Sequence, residues 1–157
     1  MRHYASRGLL GVLSAFIAVT AICGALLVVP TLPSDWIAGS VFADYTVPAL
    51  ALGIVGGLAV ATFVLLAVRP EFAGAPAVVT GMAMVAFEVV EIWVVGLSLL
   101  EYGIDEPVAW LQVVYLAIGA LTAGAGVGLW RATSDDRERR ARTSPTASMA
   151  HRGGGQP

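Results

Sequence analysis

The stretch VPALALGIVGGLAVATFVLLAV, residues 47–68, decides the fold. It contains no charged side chain, and about 20 such residues cross the hydrocarbon core of a bilayer as an α-helix. Pro48 stands where the first helical turn does not need its backbone N–H, and Arg69-Pro70 follows the last apolar residue. The stretch is therefore predicted to be a transmembrane helix.

Three further apolar blocks have the length of a bilayer crossing. They occupy residues 9–29, 77–100 and 108–130. A cleaved signal peptide is the alternative for the first block, but the apolar region of a signal is usually only about 7–15 residues long, so we expect a retained helix. The predicted fold class is all-α, a bundle of four transmembrane helices in residues 1–130.

Composition excludes a soluble fold. Hydrophobic residues make up 57% of the chain and charged residues 13%, against roughly 25% charged in an average soluble domain. The expected partner is the lipid bilayer, together with a membrane-protein partner or a second copy of the chain. Nothing in this charge pattern indicates nucleic-acid binding.

The charges predict the orientation. All nine basic residues are arginines, and they precede the first block, follow the second or follow the fourth. The other two connections carry only acids: Asp35, Asp44, Glu101, Asp105 and Glu106. The positive-inside rule then places both termini in the cytoplasm. Arginine without lysine, with abundant Ala, Gly and Val, is typical of a high-GC bacterial genome, so we expect a multi-pass protein of the bacterial inner (plasma) membrane.

The segment after the fourth block changes character. Residues 131–157 are rich in arginine and end in Ser, Thr, Gly and Pro. Such a composition cannot bury enough apolar surface to fold. We expect an Arg-rich, largely disordered cytoplasmic tail, in which the disorder begins at about Thr143.

Small residues should mark the helix interfaces, because helices in lipid associate through close backbone approach. Gly53 and Gly57 are four residues apart in the second block, with Gly56 beside them, and Ala120, Gly124 and Gly128 form one stripe in the fourth. The prediction is intramolecular packing at both stripes, with a dimerisation face as the alternative.

Glu88 and Glu91 are the only charged residues inside an apolar block. Placing a carboxylate at this depth in the bilayer costs free energy, so such residues usually face the bundle interior or a water-filled cavity. Their three-residue spacing places both on one helix face, where simultaneous ionisation is unfavourable. At least one of them should be protonated at neutral pH.

The fourth block offers partners for these carboxylates. A small and polar stripe at helical steps consists of Gln112, Tyr115, Gly119, Thr122 and Gly126. Gln112 and Tyr115 lie at a matching depth, and Asp44 and Tyr45 approach from the same side of the membrane. The predicted polar network is therefore Glu88, Glu91, Gln112, Tyr115, Asp44 and Tyr45. A proton or cation relay and a pocket for a cationic or amide-bearing ligand are the functional interpretations. A hydrogen-bond network that only fixes helix packing is the alternative.

Three short motifs carry a family resemblance: Ser40-x-Phe42-x-Asp44-Tyr45-x-x-Pro48, Phe87-Glu88-Val89-Val90-Glu91 and Leu111-Gln112-x-x-Tyr115. They resemble a family of small four-helix integral membrane proteins of high-GC bacteria that has no assigned activity. The resemblance covers roughly residues 34–130. It implies the four-helix fold and marks the same six polar positions, but it implies no substrate.

The residue inventory argues against an enzyme. Cys23 is the only cysteine, and both histidines, His3 and His151, are terminal. No metal-ligand spacing and no cofactor motif occurs, so we expect no catalytic residue, no metal and no cofactor. The first functional hypothesis is a non-enzymatic membrane component or accessory subunit. The second is a small proton-coupled transporter or channel that uses Glu88 and Glu91. A third is an intramembrane enzyme that acts on a lipid with the paired carboxylates as acid and base, although no nucleophile or metal site accompanies them.

Overall fold

The computed structural model describes residues 2–31, 44–95 and 107–143. The predicted all-α fold with four helices is confirmed, and no β-strand occurs among these residues. The helices are α1 (Arg2–Thr31), α2 (Thr46–Val68), α3 (Gly74–Val95) and α4 (Pro107–Thr143), with a 3-10 turn at Pro70–Phe72.

Two helices extend beyond their predicted apolar blocks. Helix α1 begins at Arg2 rather than Leu9, and α4 continues past Trp130 to Thr143. Hydropathy detects only the part of a helix that crosses lipid. The polar extension of α4 places Asp135 four residues before Arg139, a spacing that stabilises a helix in water. The predicted end of the third helix, 96–100, and the rest of the predicted tail, 144–157, lie outside the described residues.

The extension of α4 packs against the connection between α2 and α3. The guanidinium of Arg137 lies 5.0 Å from the centroid of the Phe72 ring, in cation–π geometry, and donates a hydrogen bond of 3.3 Å to the carbonyl oxygen of Glu71. These contacts explain why the 3-10 turn and the end of α4 lie side by side.

All four helices are long and apolar enough to cross a membrane. Only 22 to 28% of the residues in each span are buried, so most of each apolar surface faces outward. Large side chains such as Leu26, Ile54 and Trp93 are exposed on it. An outer surface of this kind is compatible with a membrane protein and would be unfavourable in water.

The helices form a closed ring in chain order. Helix α1 packs most extensively on α2, α3 packs most extensively on α4, and smaller contacts of α2 with α3 and of α4 with α1 complete the ring. We call the end where α1 and α3 finish and α2 and α4 begin the distal end, and the opposite end, with Arg2 and Thr143, the terminal end.

The contact between α3 and α4 is a backbone contact through glycines. A Cβ added to Gly74 would lie 2.8 Å from the backbone of Trp130, and one added to Gly126 would lie 2.8 Å from Val78 N. Seven residues later on α3 and seven residues earlier on α4, Gly81 and Gly119 approach in the same way. We call this line of contact the glycine seam.

The two predicted stripes of small residues have different outcomes. In α2, Cβ positions on Gly53 and Gly56 would contact Ala25 and Ile22 of α1, so intramolecular packing is confirmed there, whereas the stripe of α4 does not pack within the bundle. Gly124 and Gly128 have open space where a Cβ would lie, and Ala120 and Gly57 are also exposed. The glycine seam uses Gly119 and Gly126 instead, which belong to the small and polar stripe that was expected to face the third helix. Sequence spacing of four could not distinguish these faces, because Gly and Ala occur on several sides of the helix.

Hydroxyl groups form a buried layer in the terminal half of the bundle. Each helix contributes one fully buried hydroxyl side chain, 15 to 17 residues from its distal end: Ser14, Thr62, Thr80 and Thr122. The hydroxyls of Thr62 and Thr80 are 2.9 Å apart and join α2 to α3. An apolar cluster with Ile17 and Met84 at its centre lies on the distal side of this hydroxyl layer.

Candidate functional site

A cavity of about 360 Å³ lies between the distal halves of the four helices. Its volume falls in the range of small-molecule sites, roughly 300–1,000 Å³. Every helix contributes to its wall, so the cavity exists only in the assembled bundle. The cavity extends toward the distal end, because its lining includes Val28, near the end of α1, and Val47, near the start of α2.

One wall of the cavity carries its acidic and polar groups, among the apolar side chains Met84, Phe87, Val90 and Leu111. Glu88 and Glu91 of α3 line it together with Gln112 and Tyr115 of α4, and Tyr45 lies beside them at the start of α2. These are five of the six side chains in the predicted network. Glu88 is buried at 3% exposure, whereas Glu91 is half-buried. We call this side the acidic wall.

The glycine seam positions the acidic wall. Glu88 lies seven residues beyond Gly81, and Gln112 lies seven residues before Gly119. A seven-residue step returns to nearly the same helix face. The two side chains therefore continue the line on which the glycines meet. On this line Glu88 and Gln112 have larger side chains than glycine. They therefore need space between α3 and α4, and they lie at the edge of the cavity.

Gln112 is buried at 4% exposure, and its Nε2 has no hydrogen-bond partner among the described residues. A buried amide without a partner costs roughly 1–3 kcal/mol. Its neighbour Tyr115 packs against Phe16 of α1 with ring centroids 6.1 Å apart. The ring pair fixes the position of α1 relative to the acidic wall.

Asp44 does not line the cavity. Its Oδ1 accepts a hydrogen bond of 2.8 Å from the backbone N–H of Thr46, which satisfies a donor in the first turn of α2. This backbone hydrogen bond holds the pKa of Asp44 below its usual value. Tyr45, beside the cavity, has its pKa raised first by burial and then by the negative charge of Glu91, so its hydroxyl stays protonated.

The opposite wall was not anticipated from the sequence. Helices α1 and α2 contribute mostly small and apolar side chains to the cavity: Thr20, Ala21, Gly24, Val28, Val47, Pro48, Ala51 and Leu52. We call this side the apolar wall. The clustering of Ala21 and Gly24 in one helix turn was the available signal, but small residues are common throughout the chain.

The cavity has no basic residue in its vicinity along any helix. No Arg, Lys or His occurs between Arg7 and Arg69 or between Arg69 and Arg131. Thr20, the cavity residue of α1 nearest to Arg7, is 13 residues away, about 20 Å along a helix. Within the described residues, no group of three or more His, Cys, Asp or Glu side chains could hold a metal ion.

The fold and site together define a four-helix protein with helices of membrane-spanning length and an acidic internal cavity. No protein-family model, no curated protein and no solved structure matches the chain. Arguments about function therefore rest on the cavity itself.

Proposed function

We propose that the chain is a multi-pass membrane protein that binds a proton or a cation at Glu88 and Glu91 and works as a small proton-coupled transporter. The observation that carries the proposal is a cavity with two carboxylates in its wall and no basic residue on the neighbouring helix turns. Purely structural buried carboxylates are normally paired with a cation.

Electrostatics supports exchange at this site. Two carboxylates three residues apart on one helix face repel each other, and burial makes each ionised form more costly. A proton or a cationic ligand relieves both costs. Because a proton and a cationic ligand compete for the same carboxylates, binding of one weakens binding of the other, and this reciprocal coupling is the thermodynamic basis of coupled transport.

Proton binding can be measured directly by infrared difference spectroscopy of the purified protein between pH 5 and pH 9. We expect a carboxylic-acid carbonyl band that disappears at high pH and is absent in the Glu88→Gln, Glu91→Gln double variant. Glu71→Gln is the matched control, because Glu71 is exposed at the terminal end. A band that persists in the double variant would overturn the assignment.

Transport is tested in proteoliposomes that contain a pH-sensitive dye. The wild-type protein and Glu71→Gln should dissipate an imposed pH gradient when the transported cation is supplied, whereas Glu88→Gln and Glu91→Gln should not. Equal rates in all four proteins would contradict a role of the carboxylates in coupling.

The orientation and membrane belong to the same proposal. Arginines at the terminal end and acids at the distal end support cytoplasmic termini in a bacterial inner membrane. Labelling of single cysteines by an impermeant maleimide tests this in intact cells, after Cys23 is replaced by Ala. The Asp44→Cys variant should be labelled, and the Glu138→Cys variant should not. The opposite pattern would reverse the topology.

The hypothesis of a non-enzymatic membrane component or accessory subunit stays a prediction. Crosslinking in the membrane followed by purification would test it. A stoichiometric second protein would support it, and repeated recovery of this chain alone would argue against it.

A further inference from the structure

We infer that the ligand of the cavity is a hydrophobic organic cation, with its ammonium group at the acidic wall and its apolar body against the apolar wall. The inference rests on the proposed cation binding at Glu88 and Glu91 and adds the substrate class. It follows from the volume, the two-sided lining and the charge of one cavity.

The volume argues for a molecule rather than a bare ion. A proton or a metal ion would leave most of the cavity of about 360 Å³ unfilled. Divalent cations also require more oxygen ligands than two carboxylates supply, usually six or more. A molecule with roughly a dozen non-hydrogen atoms suits a cavity at the lower end of the small-molecule range.

The two walls define the shape of the ligand. The acidic wall carries both carboxylates on α3, whereas α1 and α2 face them with side chains such as Ala21, Val28 and Leu52. A ligand that satisfies both walls has one charged end and one apolar end. Phe87 and Tyr115 also line the cavity and offer aromatic rings to an ammonium group.

The sign of the charge follows from the residues present. An anion would be repelled by two carboxylates with no arginine to offset them. A neutral molecule would leave the negative charge of the acidic wall uncompensated. A phospholipid headgroup has a cationic end, but its phosphate carries the same charge as the carboxylates. A free organic cation is therefore the favoured ligand.

Small side chains on the apolar wall create the space for the apolar body. Ala51 lines the cavity with a single methyl group, and Gly24 has none. A Cβ on Gly24 would already lie 3.2 Å from Leu52 Cδ1. Replacing Ala51 by a larger residue should therefore reduce the space for the apolar body of the ligand. The charge of the acidic wall would not change.

Binding is measured by calorimetry on the purified protein in phospholipid-free detergent, with four probes. Trimethyl(4-phenylbutyl)ammonium has a permanent charge and an apolar body, and tetramethylammonium has the charge alone. The anion 5-phenylpentanoate has the same apolar body with the opposite charge, and Na⁺ is an inorganic monocation. We expect the first probe to bind at least about 100-fold more tightly than tetramethylammonium, because of its added apolar surface. We expect no measurable binding of 5-phenylpentanoate.

Two sets of variants separate the walls. Ala51→Leu should weaken trimethyl(4-phenylbutyl)ammonium binding at least about tenfold and leave tetramethylammonium unaffected. Ala61→Leu is the matched control, because Ala61 is exposed on the same helix and does not line the cavity. The Glu88→Gln, Glu91→Gln double variant should lose binding of both ammonium probes, whereas Glu71→Gln should retain it.

The outcomes distinguish the inference from the proposed function. If the infrared band is present but Na⁺ or 5-phenylpentanoate binds as tightly as the aromatic ammonium, cation or proton binding stands and the substrate class is wrong. Equal losses in Ala51→Leu and Ala61→Leu would also overturn the inference. Binding should be the same in phosphatidylcholine nanodiscs as in detergent. Loss of binding there would show that a lipid headgroup occupies the site, which also contradicts a free organic cation.

Discussion

The carbonyl oxygen of Gly81 lies 3.0 Å from the position that a Cβ would occupy on Gly119. This spacing leaves no room for a side chain between α3 and α4. Because the acidic wall continues from the same line of contact, the approach of these two glycines also determines how Glu88 and Gln112 face the cavity.

Alanine at the glycine seam should destabilise the protein. A Cβ on Gly81 would overlap Ala123 N, and backbone on a packed helix cannot move aside as a flexible side chain does. We expect Gly81→Ala to lower the free energy of unfolding by about 3 kcal/mol, in the range of overpacked cores. Reversible unfolding in mixed micelles measures the change.

Gly128→Ala is the control for this prediction. Nothing lies within 4 Å of its Cβ position, and alanine is a better helix former than glycine by up to about 1 kcal/mol. The variant should be neutral or stabilising. Equal destabilisation by Gly81→Ala and Gly128→Ala would contradict a close backbone contact at Gly81.

The hydrogen bond between Thr62 and Thr80 should contribute a measurable coupling energy. Each hydroxyl has one proton and lies 2.9 Å from a carbonyl of its own helix as well as from the other threonine. A double-mutant cycle of Thr62→Val and Thr80→Val should give about 0.6–1.7 kcal/mol. The same cycle with Thr122→Val in place of Thr80→Val should give about zero, since Thr122 bonds the carbonyl of Ile118 in its own helix.

Replacing Gln112 by methionine should not destabilise the ligand-free protein. Methionine has a similar shape and removes a buried Nε2 that has no partner. The free energy of unfolding should stay unchanged or rise by up to about 1–3 kcal/mol. Thermal unfolding in detergent measures this change. A loss of more than about 1 kcal/mol would mean that the amide makes a structural hydrogen bond in solution.

The start of α2 should respond to acid through Asp44. Its pKa is lowered in the folded protein by the hydrogen bond from Thr46, so the ionised carboxylate stabilises the turn above the unfolded value of about 3.9. This contribution to stability is lost as pH falls through the pKa of Asp44 in the folded protein, which lies below the unfolded value. The amide resonance of Thr46 should titrate with a midpoint below about 3.9. In Asp44→Asn its position should stay constant, and a midpoint at or above 3.9 in the wild type would contradict the hydrogen bond.

The sequence was sufficient for the number of helices because each crossing needs a long apolar block, and Pro30, Pro70 and Pro107 lie near their ends. It was not sufficient for the helix termini. Arg2 and Thr143 lie in polar segments whose helical state depends on local charge spacing and packing, for which hydropathy carries no information.

The acidic wall could be predicted because a carboxylate in lipid is rare enough to be conspicuous, and helix periodicity placed Gln112 and Tyr115 at the right depth. Asp44 was grouped with them by depth and by the family resemblance, although its carboxylate instead accepts the N–H of Thr46. The apolar wall could not be predicted, since Ala51 differs from the other alanines of α2 only in the direction it faces.

The bond between Thr62 and Thr80 has a consequence for how α2 and α3 align along the bundle axis. Apolar contacts between helices in lipid select an alignment only weakly, because lipid is as apolar as the side chains. A slide of one turn, about 5.4 Å, would place Thr62 opposite apolar side chains and break its bond to Thr80. The two bonded hydroxyls therefore favour a single vertical alignment of α2 and α3, much as one polar residue selects the register of a coiled coil.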